Sequence, residues 1–476
     1  MNKKPQPTII SIVILFLLLS LTPFQTVHSE PTTDSVTLLI IAPFEFTPAL
    51  ETLVLHKEHY GISTRLVSVE EVYDQMFWQG RDPAEKIKYF IKNAVEEWGT
   101  QYVLLVGGMI GQMNEWYVPV RYVQMDDNWE SEYLSDLYFA DIYDEYDDFS
   151  SWDTDGDGIY GEWYYEQPAE DDNIDLSPDV AVGRLPCRCL EEVMIMVDKI
   201  IMYETYASGG TWFNDFVVVA GDTYPVMHNP NWTGNEGEYY GDLAIDIMDE
   251  FTPIRLYTSD GSFSGERDVI TTISDGCGFL YFNGHGNPQT WGNHPPNDEE
   301  FVTGLTTKTM PRLRNGERLP ICVVGGCHNC QFDVTLLNLI EGIMEEGLQF
   351  FKHKFYYKEW VPECWGWRMT RKLGGGSIAT LGCSALGYTK EDKDSFTGGM
   401  DEVELNFFTA YSDHGYTHLG DAWKASLQYY QADYPINWSS SAVSDSWIDT
   451  KVMQSWVLFG DPSLKIGGYP STPCIE

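Results

Sequence analysis

Two side chains able to serve as nucleophile and base stand at the ends of apolar runs. Cys327 follows Pro320-Ile-Cys-Val-Val-Gly325, and His285 follows Gly278-Phe-Leu-Tyr-Phe282. A thiol needs a base or a positive field to become a thiolate, and an imidazole supplies it. Glycines beside both (Gly284, Gly286, Gly326) let a substrate backbone approach and leave local N–H groups for a developing oxyanion. Cys330 turns Cys327-His-Asn-Cys330 into a CxxC, so thiol–disulfide exchange stands as a rival chemistry.

A different chemistry is written in Asp153-Thr-Asp155-Gly-Asp157-Gly158. Carboxylates at positions one, three and five with glycine at six suit Ca²⁺, whose many oxygen ligands require a sharp turn. Position twelve is Tyr164, so a full EF-hand is not met, and Glu162 at position ten is the expected substitute. A structural Ca²⁺ held by Asp153, Asp155, Asp157 and Glu162 is expected, with no cofactor for catalysis. A plain solvated acidic turn is the competing reading.

The elements that must position these groups read as α/β. Val36–Ala42, Ile62–Val69 and Tyr102–Gly107 are predicted strands, alternating with helices over Pro43–Tyr60 and Pro83–Trp98. That order means βαβ units and a parallel sheet. Residues 126–179 hold 20 Asp+Glu and no Lys or Arg, with poor periodicity, which predicts a surface insertion. A strand near Pro178–Pro186, a helix over Leu190–Tyr206 and a Ser208-Gly-Gly210 joint close an N-terminal subdomain over 34–207. The second subdomain, 211–470, repeats the grammar. Its predicted strands are Phe216–Ala220, Gly278–Phe282, Pro320–Gly325 and Gly376–Leu381, with a helix over Gly241–Phe251, and the chain closes with Val457–Ile466. Ligands of open parallel sheets sit beyond the carboxyl ends of the strands, where both reactive residues fall.

The chain has 476 residues and a formal charge of −43, and is 43% hydrophobic, with 16 Trp, 29 Tyr and 23 Phe. It can bury a large core, and so acidic a surface does not suit non-specific nucleic-acid binding. Lys3 and Lys4 precede an apolar run from Ile9 to Leu21, short for a spanning helix and suited to a signal peptide over 1–29, with an uncleaved anchor as the alternative. A secreted or cell-surface protein with no stable membrane insertion after cleavage is expected. Nine cysteines, an odd number, leave at least one thiol unpaired within the chain.

The same residues resemble the gingipain-like cysteine peptidases, family C25, of the caspase-like clan CD. The likeness runs through Leu38-Leu-Ile-Ile-Ala-Pro43, Trp98–Gly107, Pro178–Pro186, Tyr281-Phe-Asn-Gly-His285-Gly286, Leu319–Phe332 and Phe459-Gly-Asp-Pro-Ser-Leu464. It implies a caspase-like three-layer α/β architecture with two subdomains in tandem, and hydrolysis of protein or peptide substrates. It also implies Cys327 as nucleophile, His285 as base and acid, and the N–H groups of Gly286 and Cys327 as oxyanion donors. Asp222 falls where the family places an acid supporting the histidine; a capping carboxylate is the alternative. Glu236 or Glu238 matches an acidic S1 residue that would hold P1 Arg or Lys, against a solvated acidic loop. Beside the endopeptidase reading stand the oxidoreductase and a non-catalytic surface binding protein on the same fold.

Overall fold

Apolar runs from both halves of the chain become neighbours in one ten-stranded sheet. The computed structural model describes residues 35–470, except 128, 165, 226–234, 347–358, 391–397 and 441–444; the expected signal segment lies outside the described residues. The strands are β1 (Leu38–Ala42), β2 (Thr64–Ser68), β3 (Tyr102–Val106), β4 (Tyr122–Gln124), β5 (Glu132–Leu134), β6 (Ala181–Leu185), β7 (Asp215–Ala220) and β8 (Thr252–Tyr257). They continue with β9 (Phe279–Asn283), β10 (His285–Gly286), β11 (Thr290–Asn293), β12 (Val302–Thr306), β13 (Ile321–Gly325), β14 (Ala379–Cys383) and β15 (Trp456–Phe459).

The main sheet runs β2-β1-β3-β6-β15-β14-β13-β9-β7-β8. Residues 34–207 supply four strands and 211–470 six, and β15, the last of these in the chain, lies between the first four and the other five. It runs antiparallel to β14 and parallel to β6. The inner strands β1, β3, β6, β9, β13 and β14 are buried at every position, as a sheet covered on both faces requires. The edges β2 and β8 are more open, and Pro253 sits in β8, where its missing donor costs no ladder bond.

Local rules account for the helices near the site. Pro83–Trp98 starts where the Asp82 side chain accepts the Glu85 N–H at 2.8 Å and stops at Gly99 with φ +71°. The helix expected over Gly241–Phe251 instead covers Glu236–Ile247. Its first turn presses on the strand ends: a Cβ on Gly237 would lie 2.8 Å from the Asn283 carbonyl and 2.9 Å from that of Gly221. Glycines that read as helix-breaking serve close approach. Helices Met400–Ser412, Leu419–Asp433 and Asp445–Ser455 are not anticipated by the sequence reading.

Two further departures are physical. The 126–179 segment is not merely a surface insertion, because Tyr138, Phe139, Trp152 and Trp163 are each at most 1% exposed. Lys88 of the Pro83–Trp98 helix reaches into it, donating to the Ser150 carbonyl with its ammonium 4.2 Å from the Tyr138 ring centroid. The Gly460-Asp-Pro-Ser463 signature is a clamp: buried Lys57 joins Asp461 at 2.7 Å and Glu204 at 2.8 Å, tying two helices to the turn after β15.

Candidate active site

The chain leaves β7 toward β8 on one side and leaves β9 toward β13 on the other, so the connections diverge between β7 and β9. A crevice opens at such a switch point beyond the carboxyl ends of the strands. Register then sets the residues. Asn283 of β9 pairs with Gly325 of β13, and with Ala220 of β7 on its other side. His285 and Cys327 each lie two residues beyond the paired positions, and Asp222 two beyond Ala220. Three adjacent strand ends therefore carry the thiol, the imidazole and the carboxylate side by side.

His285 is fixed by β10, which pairs it with Gly292 of β11. Its Nε2 lies 2.6 Å from the Thr223 carbonyl; a carbonyl only accepts, so Nε2 carries the proton and Nδ1 keeps its lone pair. The ring meets Tyr224 and His294 edge-on at centroid distances of 5.9 and 5.5 Å. Burial lowers the His285 pKa, the Thr223 carbonyl opposes that, and His294 adds to it, favouring the neutral base. The Asp222 carboxylate does not touch the ring. Pairing of Asp222 with His294 aims it elsewhere, and Oδ2 accepts the Asn297 N–H at 2.7 Å. The group orienting the imidazole is a main-chain carbonyl, which no side-chain pattern can flag.

Cys327 is partly buried, and its S–H points to the Gly387 carbonyl, 3.8 Å away. Burial raises its pKa, with the Gly387 contact opposing. A neutral thiol and a neutral imidazole carried on adjacent strand ends suit proton transfer at the moment of attack. Cys330 faces the other way: it is fully buried, and its sulfur lies where Cβ atoms on Gly366 and Gly382 would come within 2.4 and 2.8 Å. Both cysteines are free thiols.

Gly286 and Gly326 face one another across the site. A Cβ on Gly326 would lie 3.0 Å from the Gly286 nitrogen, and one on Gly286 only 2.1 Å from Asn329 Oδ1. A small crevice next to the ends of β7 and β9 is lined by Thr223, Tyr224, Glu236, Asn283 and Asp401 among others. Glu236 is buried in it: Oε2 accepts the Tyr224 N–H at 3.2 Å, and the carboxyl group also meets Asp222. Burial and then the Asp222 carboxyl raise its pKa. Glu238 turns away and accepts from Ser259 N–H and Asn235 Nδ2, at 2.9 and 3.0 Å. Asp401, not singled out from the sequence, takes the Asn283 amide at 2.7 Å and is pushed up by burial to about 7. Its Oδ2 is buried without a hydrogen-bond partner among the described residues.

The acidic turn redistributes the expected cation ligands. The Asp153 carboxylate accepts the N–H groups of Gly156, Asp157 and Gly158 and pairs with Arg81. Asp155, Glu162 and Glu170 bring one oxygen each within 4.8 Å of one another, as do Asp153, Asp155 and Asp171. Asp157 belongs to neither group; it accepts the Ile159 N–H at 2.8 Å. Glu162 Oε2 is buried without a hydrogen-bond partner among the described residues.

Comparison with known proteins follows the same geography. The model of peptidase family C25 matches residues 32–467. An uncharacterized protein of Archaeoglobus fulgidus is 20% identical over 406 residues, 82% of this chain and 86% of that one. The fold is similar to the crystal structure of the Arg specific cysteine proteinase gingipain R, with a TM-score of 0.60 at 15% identity, over 92% of this chain and 79% of that one. A complex of the pro- and mature domains of RgpB from Porphyromonas gingivalis gives 0.59 at 16% identity, over 90% and 79%. With a match that begins before β1 and ends after β15, and the mostly parallel sheet in common, this chain belongs to peptidase family C25.

Proposed function

We propose that the chain is an exported cysteine endopeptidase, secreted or held at the cell surface, that hydrolyses protein or peptide substrates through Cys327 and His285 and prefers Arg or Lys at P1. The observation that carries the mechanism is the placement of both residues two positions beyond a paired strand end, with the Nδ1 lone pair of His285 unspent. In the forward step Nδ1 takes the thiol proton as sulfur bonds to the scissile carbonyl carbon. The carbonyl oxygen becomes an oxyanion, received by the N–H groups of Gly286 and Cys327. Collapse breaks the C–N bond, and the imidazolium returns its proton to the leaving amine. Water, deprotonated by the same nitrogen, then cleaves the thioester and restores the thiol.

The P1 preference rests on Glu236, buried in the crevice where it accepts the Tyr224 N–H, with Asp401 as a second acid in the same lining. The test is a fluorogenic peptide panel varied at P1, on wild type and Glu236→Gln. Wild type is expected to cleave after Arg or Lys, and the substitution to lower kcat/KM for those peptides by about 30-fold or more, since a desolvated charge pair carries 2–5 kcal/mol. Peptides with apolar P1 should change little. Equal loss across the panel would remove Glu236 from the specificity pocket.

A structural Ca²⁺ in the 153–171 turn completes the proposal, supported by the buried, unpartnered Glu162 Oε2 beside Asp155 and Glu170. Glu170 and Asp171 replace Asp157 in the ligand set. Millimolar Ca²⁺ against EGTA should raise Tm by about 3 °C, from about 2.7 kcal/mol at a hundredfold excess over Kd. Glu162→Gln should erase the difference; a Tm indifferent to Ca²⁺ in wild type would refute the site.

A further inference from the structure

The acidic segment sends two of its carboxylates to the catalytic face. Asp127 and Glu130 lie between β4 and β5 and meet Lys451 of the Asp445–Ser455 helix. The Lys451 ammonium, fully buried, sits 2.7 Å from Asp127 Oδ2 and 2.9 Å from Glu130 Oε2. Glu130 does more than pair. Its Oε2 accepts the Leu386 N–H at 3.0 Å, and its Oε1 lies 3.1 Å from His328 Nε2. Asp127 holds the same loop through the Tyr388 hydroxyl, at 2.8 Å.

Both partners of Glu130 bear on the thiol. His328 directly follows Cys327 and has φ +57°, a left-handed backbone that costs a non-glycine residue about 1 kcal/mol or more and must be imposed from outside. Its N–H donates to the Ala385 carbonyl at 2.8 Å. Leu386 precedes Gly387, whose carbonyl receives the Cys327 S–H. One carboxylate thus grips the residue after the nucleophile and the loop toward which its hydrogen points. Burial opposes ionisation of Glu130, but His328 and Lys451 outweigh it and hold the carboxyl at about 2. The clamp keeps its charge throughout the neutral range.

We infer that Glu130 is a positioning residue for Cys327: it sets the backbone on both sides of the thiol, so that the acidic segment fixes the direction of nucleophilic attack. The inference rests on the reading of Cys327 as nucleophile. A buried ion network pays heavily in desolvation and is weak evidence for stability as such. What it supplies here is a single geometry for a strained turn.

The experiment compares full-length wild type with Glu130→Gln, Glu130→Asp and His328→Gly. Glu130→Gln keeps the length and one oxygen for Leu386 but loses the charge facing His328 and Lys451. It is expected to lower kcat about 10- to 100-fold with KM within twofold, the pattern of an interaction acting in the transition state. The rate of Cys327 carbamidomethylation by iodoacetamide, read by peptide mass spectrometry, should fall in step. Glu130→Asp, which retains the charge, should recover part of both. His328→Gly relaxes the left-handed residue and releases Glu130 without threatening the fold, and it too should slow both rates. The alkylation readout does not depend on peptide cleavage, so it decides the inference even if wild type hydrolyses nothing in the P1 panel. Unchanged kcat and alkylation in Glu130→Gln and His328→Gly would overturn it, as would losses matched by the unfolded fraction.

Discussion

Cys327→Ala is expected to abolish the proposed peptide hydrolysis, while Cys330→Ala should leave kcat within a few-fold of wild type. The first change removes the proposed nucleophile, and loss of a nucleophile lowers kcat by about 10⁴ to 10⁶. The second deletes one buried sulfur that packs between Gly366 and Gly382 and faces away from the crevice. Its penalty is a small cavity, felt in Tm rather than in turnover. A thiol–disulfide exchanger behaves differently, because its resolving cysteine must reach the attacking one. Burial raises the Cys330 thiol well above its ordinary pKa, which disfavours the thiolate that resolution requires. Initial rates on a fluorogenic peptide, run beside a dithiol exchange assay, separate the two chemistries. Equal damage from both substitutions would sink the peptidase assignment of Cys327. The pH profile adds an independent check. Burial lowers the His285 pKa, so the acid limb of kcat/KM should lie below the ordinary histidine value near 6.5 and disappear in His285→Ala.

The strands that carry chemistry were legible because burial on both faces leaves an uninterrupted apolar run with a glycine at its end. Ile321–Gly325 and Phe279–Asn283 fall within a residue of their predicted spans for that reason. The Pro83–Trp98 helix was legible through its amphipathic spacing, and its cap, N1 proline and C-terminal glycine agree with that reading. What stayed hidden depends on contacts between distant parts of the chain. The Thr223 carbonyl orients His285, yet any residue type offers a carbonyl. The resemblance leaves Glu236 and Glu238 as equal candidates, and what separates them is the long-range contact by which Gly237 approaches the Asn283 carbonyl while Glu236 faces the crevice. Asp401 reaches the crevice from a helix with no sequence mark of function. In the 126–179 segment, aromatic residues without period pack as a core because Lys88 and Arg121 cover their rings, and no period-based reading can see this.

Gly286→Ala should cost kcat about 10²- to 10³-fold in a protein that still folds. The expectation follows from what the new methyl group would meet: Asn329 Oδ1 at 2.1 Å, Asn329 Cγ at 2.6 Å and the Cys327 carbonyl oxygen at 2.8 Å. None of these can swing aside. Asn329 is fully buried and its amide nitrogen is held by the Asn287 and Thr290 carbonyls, at 2.8 and 3.2 Å; the Cys327 carbonyl is main chain. The methyl group therefore pushes β10 away from the turn that bears the nucleophile, moving His285 and the proposed oxyanion donor together. Loss of one such donor is worth about 10² to 10³ in kcat, and misplacing a base by about 1 Å costs a similar factor. Overpacking should cost about 1–3 kcal/mol in stability, tolerable for a chain with so extensive a core. Gly265→Ala is the control, since a Cβ there meets nothing within 4 Å. Turnover in Gly286→Ala within threefold of wild type, at equal folded fraction by circular dichroism, would mean that the two strand ends can separate without loss. The close contact between Gly286 and the Cys327 turn would then be packing alone, and the oxyanion would have to be received elsewhere.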